Sequence, residues 1–266
     1  MGRLVLAVAA VCVLLGARPR ADGGAATSPL DRAAISAITH RGVAFANPLG
    51  EAAIDAAIDA LPLAAGARVL DVGCGAGELL ARIKARHGAR TEGIEPARSW
   101  ALQAREHVDI LHEQYFADVT LELRAYDLVC CLASSHAIGG WEAALGGLGA
   151  LARRDALGLV AEGFWRHPPS PGYLAALGAT PDELPSGLDG LEAGACGAGW
   201  EVLHTAVASD TDWATYEETL IANGEAELAQ GDDPALREWV EAARARWERP
   251  DGKNTLGFAL LTLRRA

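Results

Sequence analysis

Lysine is almost missing from this chain: of its 23 basic residues, only Lys84 and Lys253 are not arginine. Between Arg166 and Arg237 there is no lysine or arginine, while acids recur from Asp182 to Asp233. The formal charge is −12. With no arginine-rich stripe to offset it, that charge excludes a nucleic-acid backbone as the main partner, because phosphate binding needs a basic surface. The acidic stretch reads first as a solvated, self-repelling face. Its functional reading is a negative field that favours a neutral or cationic ligand such as an amine.

Cysteine forms no framework. Cys12, Cys74, Cys130, Cys131 and Cys196 are odd in number and irregularly spaced, which fits a reducing compartment. No group of residues has zinc-ligand spacing, so no metal is expected. Cys130 and Cys131 sit inside an apolar run and read as small strand fillers. The stretch Leu4 to Ala17 behind Arg3 is too short for a membrane span and resembles a secretory leader, so residues 1–28 are set apart. There is no internal repeat. What remains is half apolar, ample for the core of one large α/β domain.

Residues 69–77, VLDVGCGAG, carry the most information. Val69, Leu70 and Val72 read as a buried strand, and Gly73, Gly75 and Gly77 open a turn before the helical run Glu78 to His87. Alternate glycines permit positive φ and close approach of a ligand to the backbone. Strand, glycine turn and helix N-terminus together form a nucleotide-sized corner of a parallel α/β sheet. A dinucleotide fingerprint is G-x-G-x-x-G; here the spacing is G-x-G-x-G, with Asp71 two residues before the first glycine.

The rest alternates. Strands are predicted at Arg68 to Val72, Thr91 to Ile94, Val108 to Leu111, Asp127 to Leu132 and Leu157 to Ala161. Helices are predicted at Pro96 to Glu106 and Trp141 to Leu151 as well as after the glycine turn. Short strands separated by helices imply a parallel sheet covered on both faces, with ligands on the rim at the strand C-terminal ends. Before the first strand, Pro29 to Ile38 and Glu51 to Leu61 read as helices. After the fifth, Gly199 to Ala208 and Leu256 to Leu263 are strand candidates separated by a polar helical stretch from Trp213 to Trp247. The Pro- and Gly-rich run 165–199 is long enough to act as a lid or acceptor loop.

The nine-residue motif resembles the first motif of class I S-adenosylmethionine-dependent methyltransferases, a hydrophobic strand followed by D-x-G-x-G-x-G. The resemblance spans Pro48 to Arg264. It implies a Rossmann-like seven-stranded, mostly parallel sheet with helices on both faces and an antiparallel last strand. It also implies S-adenosylmethionine as cofactor, held by Asp71, Gly73, Cys74, Gly75 and Gly77 beneath its methionine part and ribose. Glu95 ends the second strand, twenty-two residues after Gly73, where a carboxylate can accept both ribose hydroxyl bonds. Pro96 is expected to pack beside the adenosine. For the adenine contact the resemblance leaves Asp118, Gln114 and Tyr115 open. Ser134 falls in the fourth-motif region, whose backbone approaches the methionine end. The proline-glycine-glycine turn usual before strand five is replaced here by Arg154-Asp155-Ala156-Leu157.

Methyl transfer from an activated sulfonium needs mostly positioning and exclusion of water, with a base where the nucleophile carries a proton. His136, on the rim, is the leading base; a lone histidine is otherwise structural. Glu162 is a candidate to orient the acceptor and Trp165 to wall its cavity, on a resemblance to the glutamate–glycine–aromatic–tryptophan run of one small-molecule methyltransferase group. Asp212, Trp213 and Tyr216 form a further acceptor cluster, although Asp210 or Asp212 is also a plain helix cap.

The expected reaction is direct methyl transfer to nitrogen or oxygen, less readily carbon or sulfur, of a small molecule such as an amine or a natural-product intermediate. The expected setting is the cytoplasm, because export would separate the enzyme from an intracellular cofactor. No nucleic-acid partner or stable membrane association is expected, and the N-terminal helices offer a surface for a homodimer. The alternatives are a nicotinamide-dependent oxidoreductase, which lacks a Y-x-x-x-K pair here, and a non-catalytic adenosyl-cofactor-binding protein.

Overall fold

The structure, a computed structural model, describes residues 30–266; the leader-like segment 1–28 lies outside them. Seven strands form one sheet in the order β3-β2-β1-β4-β5-β7-β6. They are β1 (Arg68–Val72), β2 (Arg90–Ile94), β3 (Ile110–His112), β4 (Tyr126–Leu132), β5 (Ala152–Trp165), β6 (Trp200–Val207) and β7 (Leu256–Arg265). β1 to β5 pair in parallel, and β7 runs antiparallel between β5 and β6. This is the expected Rossmann-like sheet.

Period-two patterning assigns the two faces. Val69, Leu128 and Cys130 turn to one core, while Leu70, Val129 and Cys131 turn to the other. The first core takes α1 (Arg32–Thr39), α2 (Glu51–Asp59), α3 (Glu78–His87), α6 (Pro171–Leu177), α8 (Asp210–Leu228) and α9 (Pro234–Trp247). The second takes α5 (Trp141–Leu151) and α7 (Gly187–Gly197). The short α4 (Arg98–Ala104) packs against α1 near the rim.

Three departures from the sequence reading matter for function. β5 does not stop at Ala161 but runs to Trp165, where Glu162 to Trp165 pair with Ala259 to Leu256 of β7. The segment 165–199 is not an irregular loop: it folds into α6, a short 3₁₀ turn and α7, whose Leu191 and Ala195 are wholly buried against the sheet. The polar stretch after β6 is two helices. Asp233 ends the break between them by accepting the backbone N–H groups of Ala235 and Leu236, with Pro234 at the first helical position.

Candidate active site

A cleft of about 370 Å³ opens at the C-terminal ends of β1, β2 and β4. Its floor is the turn after β1. Gly73, Gly75 and Gly77 all have positive φ, and the N–H groups of Gly73 and Cys74 both donate to the Ile94 carbonyl at 2.9 and 3.1 Å. The turn is therefore pinned to the end of β2. A Cβ at Gly73 would lie 2.4 Å from the Ser134 side chain, so only glycine lets the β1 and β4 turns meet. A Cβ at Gly75 would touch nothing within 4 Å. That glycine faces open space.

Glu95 lies where the second strand ends and lines the cleft, 8% exposed. Its Oε2 accepts the Gly75 N–H at 3.1 Å and its Oε1 accepts the Ala97 N–H at 2.8 Å. Burial raises its pKa, and those two donors oppose the rise. Asp71 is deeper, at 3% exposure, and its Oδ1 has no hydrogen-bond partner among the described residues. Burial, then the charge of Glu95, pushes its pKa up to about 7. A buried carboxylate oxygen without a donor is costly unless a ligand supplies one. These acceptors fit a ligand with a positive group for Asp71 and hydroxyls for Glu95. Cys74 is a small wall of this site: burial and the two acids raise its thiol pKa, which leaves it protonated and inert.

Ala133 follows β4 at φ 58°, held by its N–H on the Ala161 carbonyl at 2.9 Å. A non-glycine residue in the left-handed region is a strained conformation of the kind that clusters at functional sites. Ser134 follows and lines the cleft, donating to the carbonyls of Leu132 and Gly73. His136 also lines it, exposed at the rim; desolvation by surrounding protein and then the Arg32 guanidinium lower its pKa, which favours the neutral base form. Pro96 and Trp100 line the cleft as well.

Several expected residues are elsewhere. Asp118 is exposed on the 3₁₀ turn Phe116–Asp118, outside the cleft lining, because β3 ends at His112 and the chain then leads away. Gln114 and Tyr115 are exposed as well. Glu162 is fully buried within the extended β5; its Oε1 accepts its neighbour's N–H from Gly163 at 2.8 Å, and it does not line the cleft. Trp165 is core, its Nε1 donating to Pro181 at 2.8 Å. Trp213 packs beside Tyr173 and the buried Glu217–Arg246 pair rather than at the cleft. Asp212 closes a capping box with Ser209, and with Tyr216 it lines a second cavity beside the cleft.

What sequence reasoning missed is the roof. Arg32, Ser36 and the run Ala44 to Asn47 line the cleft from the N-terminal segment, the part that the 165–199 run was expected to play. Gly93 was also missed: a Cβ there would lie 2.7 Å from Cys74 Sγ, so the glycine in TEGIEP makes room for the turn. A glycine inside a strand pattern was the available signal.

Fold and cleft define a Rossmann-like α/β protein with an open cleft at the switch between β1 and β4. Residues 48–162 match the family model described as a methyltransferase domain. A curated relative, the uncharacterized protein YjhP of Escherichia coli (strain K12), is 27% identical over 164 residues; the match covers 57% of this chain and 64% of that relative, just under two thirds of its length. The crystal structure of a methyltransferase from Geobacter sulfurreducens in complex with S-adenosyl-L-homocysteine is similar at TM-score 0.78 and 22% identity, over 90% of this chain and 100% of the other. One from Thiobacillus denitrificans, also in complex with S-adenosyl-L-homocysteine, gives TM-score 0.77 and 23% identity over the same shares. At such identity these likenesses establish the fold.

Proposed function

We propose that this protein binds S-adenosylmethionine in the cleft and directs its methyl group to a nitrogen or oxygen of a small molecule. The observation that carries the reading is the unpartnered, buried Asp71 Oδ1 beside a glycine turn and the cleft-lining Glu95. When bound, the cofactor supplies a methyl group made electrophilic by a sulfonium.

The chain's own residues then do the positioning. Asp71 would hold the ammonium of the amino-acid end, and a cation there favours its ionised form. Glu95 would accept ribose hydroxyls on lone pairs left over from Gly75 and Ala97. Pro96 and Trp100 would pack beside the base. The glycines and the Ala133–Ser134 backbone admit the methionine end closely. His136, kept neutral, can take a proton from an acceptor that carries one.

The binding of S-adenosyl-L-homocysteine by the two bacterial relatives supports the same ligand here. The G-x-G-x-G spacing disfavours the nicotinamide reading. A cytoplasmic location follows as part of the proposal, since that is where the cofactor is made. Incubation with methyl-labelled cofactor and a panel of small amines, phenols and alcohols tests it. Label should pass to at least one of them; a protein that binds the cofactor tightly yet labels none is the non-catalytic alternative.

A further inference from the structure

The turn after β4 is gathered around one residue. Ser135 is 1% exposed, and its carbonyl accepts the N–H groups of Ile138, Gly139 and Gly140 at 2.9, 3.1 and 3.0 Å. Gly139 and Gly140 have φ of 119° and 101°, which lets the chain curl back onto that carbonyl. Ser134 and His136, on either side of Ser135, both line the cleft. Ser135 is thus held in the core while its two neighbours meet the ligand. Whatever fixes Ser135 fixes both.

Glu162 lies against it. Ala133 enters the turn with its N–H on the Ala161 carbonyl, one residue before Glu162, so the turn and the last part of β5 run side by side. Glu162 shares the sheet face of Val160 and Phe164 and is wholly buried there. Its Oε1 is occupied by the Gly163 N–H at 2.8 Å. The Ser135 hydroxyl is near enough to the carboxyl to oppose the effect of burial on its pKa. Even so, neither Ser135 Oγ nor Glu162 Oε2 completes a hydrogen bond among the described residues. Each has what the other lacks, a hydroxyl that donates and a carboxyl oxygen that accepts. Burial keeps the nearby Cys131 thiol neutral, so it brings no charge to pair with the acid. An apolar side chain at position 162 would spare the sheet a costly buried acid. Stability alone therefore does not account for Glu162.

We propose that Glu162 is a positioning residue for methyl transfer: by engaging the Ser135 hydroxyl from within the core, it sets the turn that presents Ser134 and His136 to the cofactor. This rests on the methyl-transfer reading and adds to it the group that aligns the rim. Glu162 itself touches neither cofactor nor acceptor. A glutamine in its place still offers Ser135 a polar partner, whereas a leucine offers none.

Two readouts test it. Nuclear magnetic resonance titration of His136 in the unliganded protein follows the turn, and calorimetry with S-adenosyl-L-homocysteine follows the cleft. In Glu162→Leu the His136 midpoint should rise toward 6.5 as the turn loosens into solvent. Affinity for the homocysteine product should fall about tenfold, the scale of one net hydrogen bond. Ser135→Ala should do the same, and the double variant should lose no more than either single one, because both act through one contact. Glu162→Gln should leave both readouts near their wild-type values. A merely structural acid would change the melting temperature of Glu162→Leu while leaving the His136 midpoint and the affinity alone, and that result overturns the proposal. Additive losses in the double variant, or a glutamine variant that behaves like the leucine one, overturn it too. Should Glu162→Leu fail to fold, Ser135→Ala decides: an unchanged His136 midpoint there overturns the proposal. Failure of the wild type to bind S-adenosyl-L-homocysteine would instead remove the cofactor reading, whereas the His136 titration needs no ligand and judges the turn by itself.

Discussion

Gly75 donates its backbone N–H to Glu95 Oε2 at 3.1 Å, so the turn after β1 and the acid after β2 are a single hydrogen-bonded unit. The bond fixes the carboxylate at the mouth of the cleft while the glycine faces open space. Glu95→Ala should weaken S-adenosyl-L-homocysteine binding about 10- to 100-fold, the loss expected for charge-assisted hydrogen bonds to a ligand. Calorimetry beside a circular-dichroism spectrum checks it; normal affinity in a folded variant would remove Glu95 from the site.

The turn glycines should separate by role. Gly73→Ala forces a Cβ to 2.4 Å from the Ser134 side chain, added to the strain of φ 76°, and should destabilise by about 1–3 kcal/mol. Gly75→Ala meets no protein atom within 4 Å, so its stability loss should be only the left-handed backbone term of about 1 kcal/mol, with its main effect on ligand binding. Urea unfolding and calorimetry on both variants read the contrast. Equal stability losses would contradict it.

Glu162 offers a pH test away from the cleft. Burial pushes its carboxyl up to about 7, against help from Ser135 and the Gly163 N–H, and Oε2 has no hydrogen-bond partner among the described residues. A folded pKa above the unfolded one means that the native state holds the extra proton. Stability from this group is then full below about pH 4 and falls as pH rises through 7. Glu162→Gln should raise the melting temperature at pH 8 and change it little at pH 5. A variant equally stable to wild type at both values would show that the carboxylate does not titrate in this way.

Legibility followed local chemistry. The first strand, the glycine turn and α3 could be bounded to the residue, because β-branched and leucine residues, three glycines and a helical run follow without ambiguity. Glu95 was legible because the end of β2 is a short distance from that turn. The end of β5 was not. Phe164 and Trp165 follow an acid and a glycine, and only the antiparallel partner β7, distant in sequence, shows that the strand continues. That one error carried Glu162 and Trp165 to the rim when they belong to the core. His40 was invisible for a related reason. Its Nε2 pairs with the Tyr216 hydroxyl, 176 residues away, and no periodicity links them.

His136 should report its surroundings directly. Desolvation lowers its pKa below 6.5 and the Arg32 guanidinium lowers it further. In a nuclear magnetic resonance titration, Arg32→Ala should move the His136 midpoint up toward 6.5 without reaching it. No movement would place Arg32 too far away to matter in solution.

The most direct measurement is isothermal titration of the folded protein with S-adenosyl-L-homocysteine and, separately, with a nicotinamide dinucleotide. The account predicts one-to-one binding of the homocysteine product, weakened by Asp71→Ala, and none of the dinucleotide. Binding of the dinucleotide alone would contradict it.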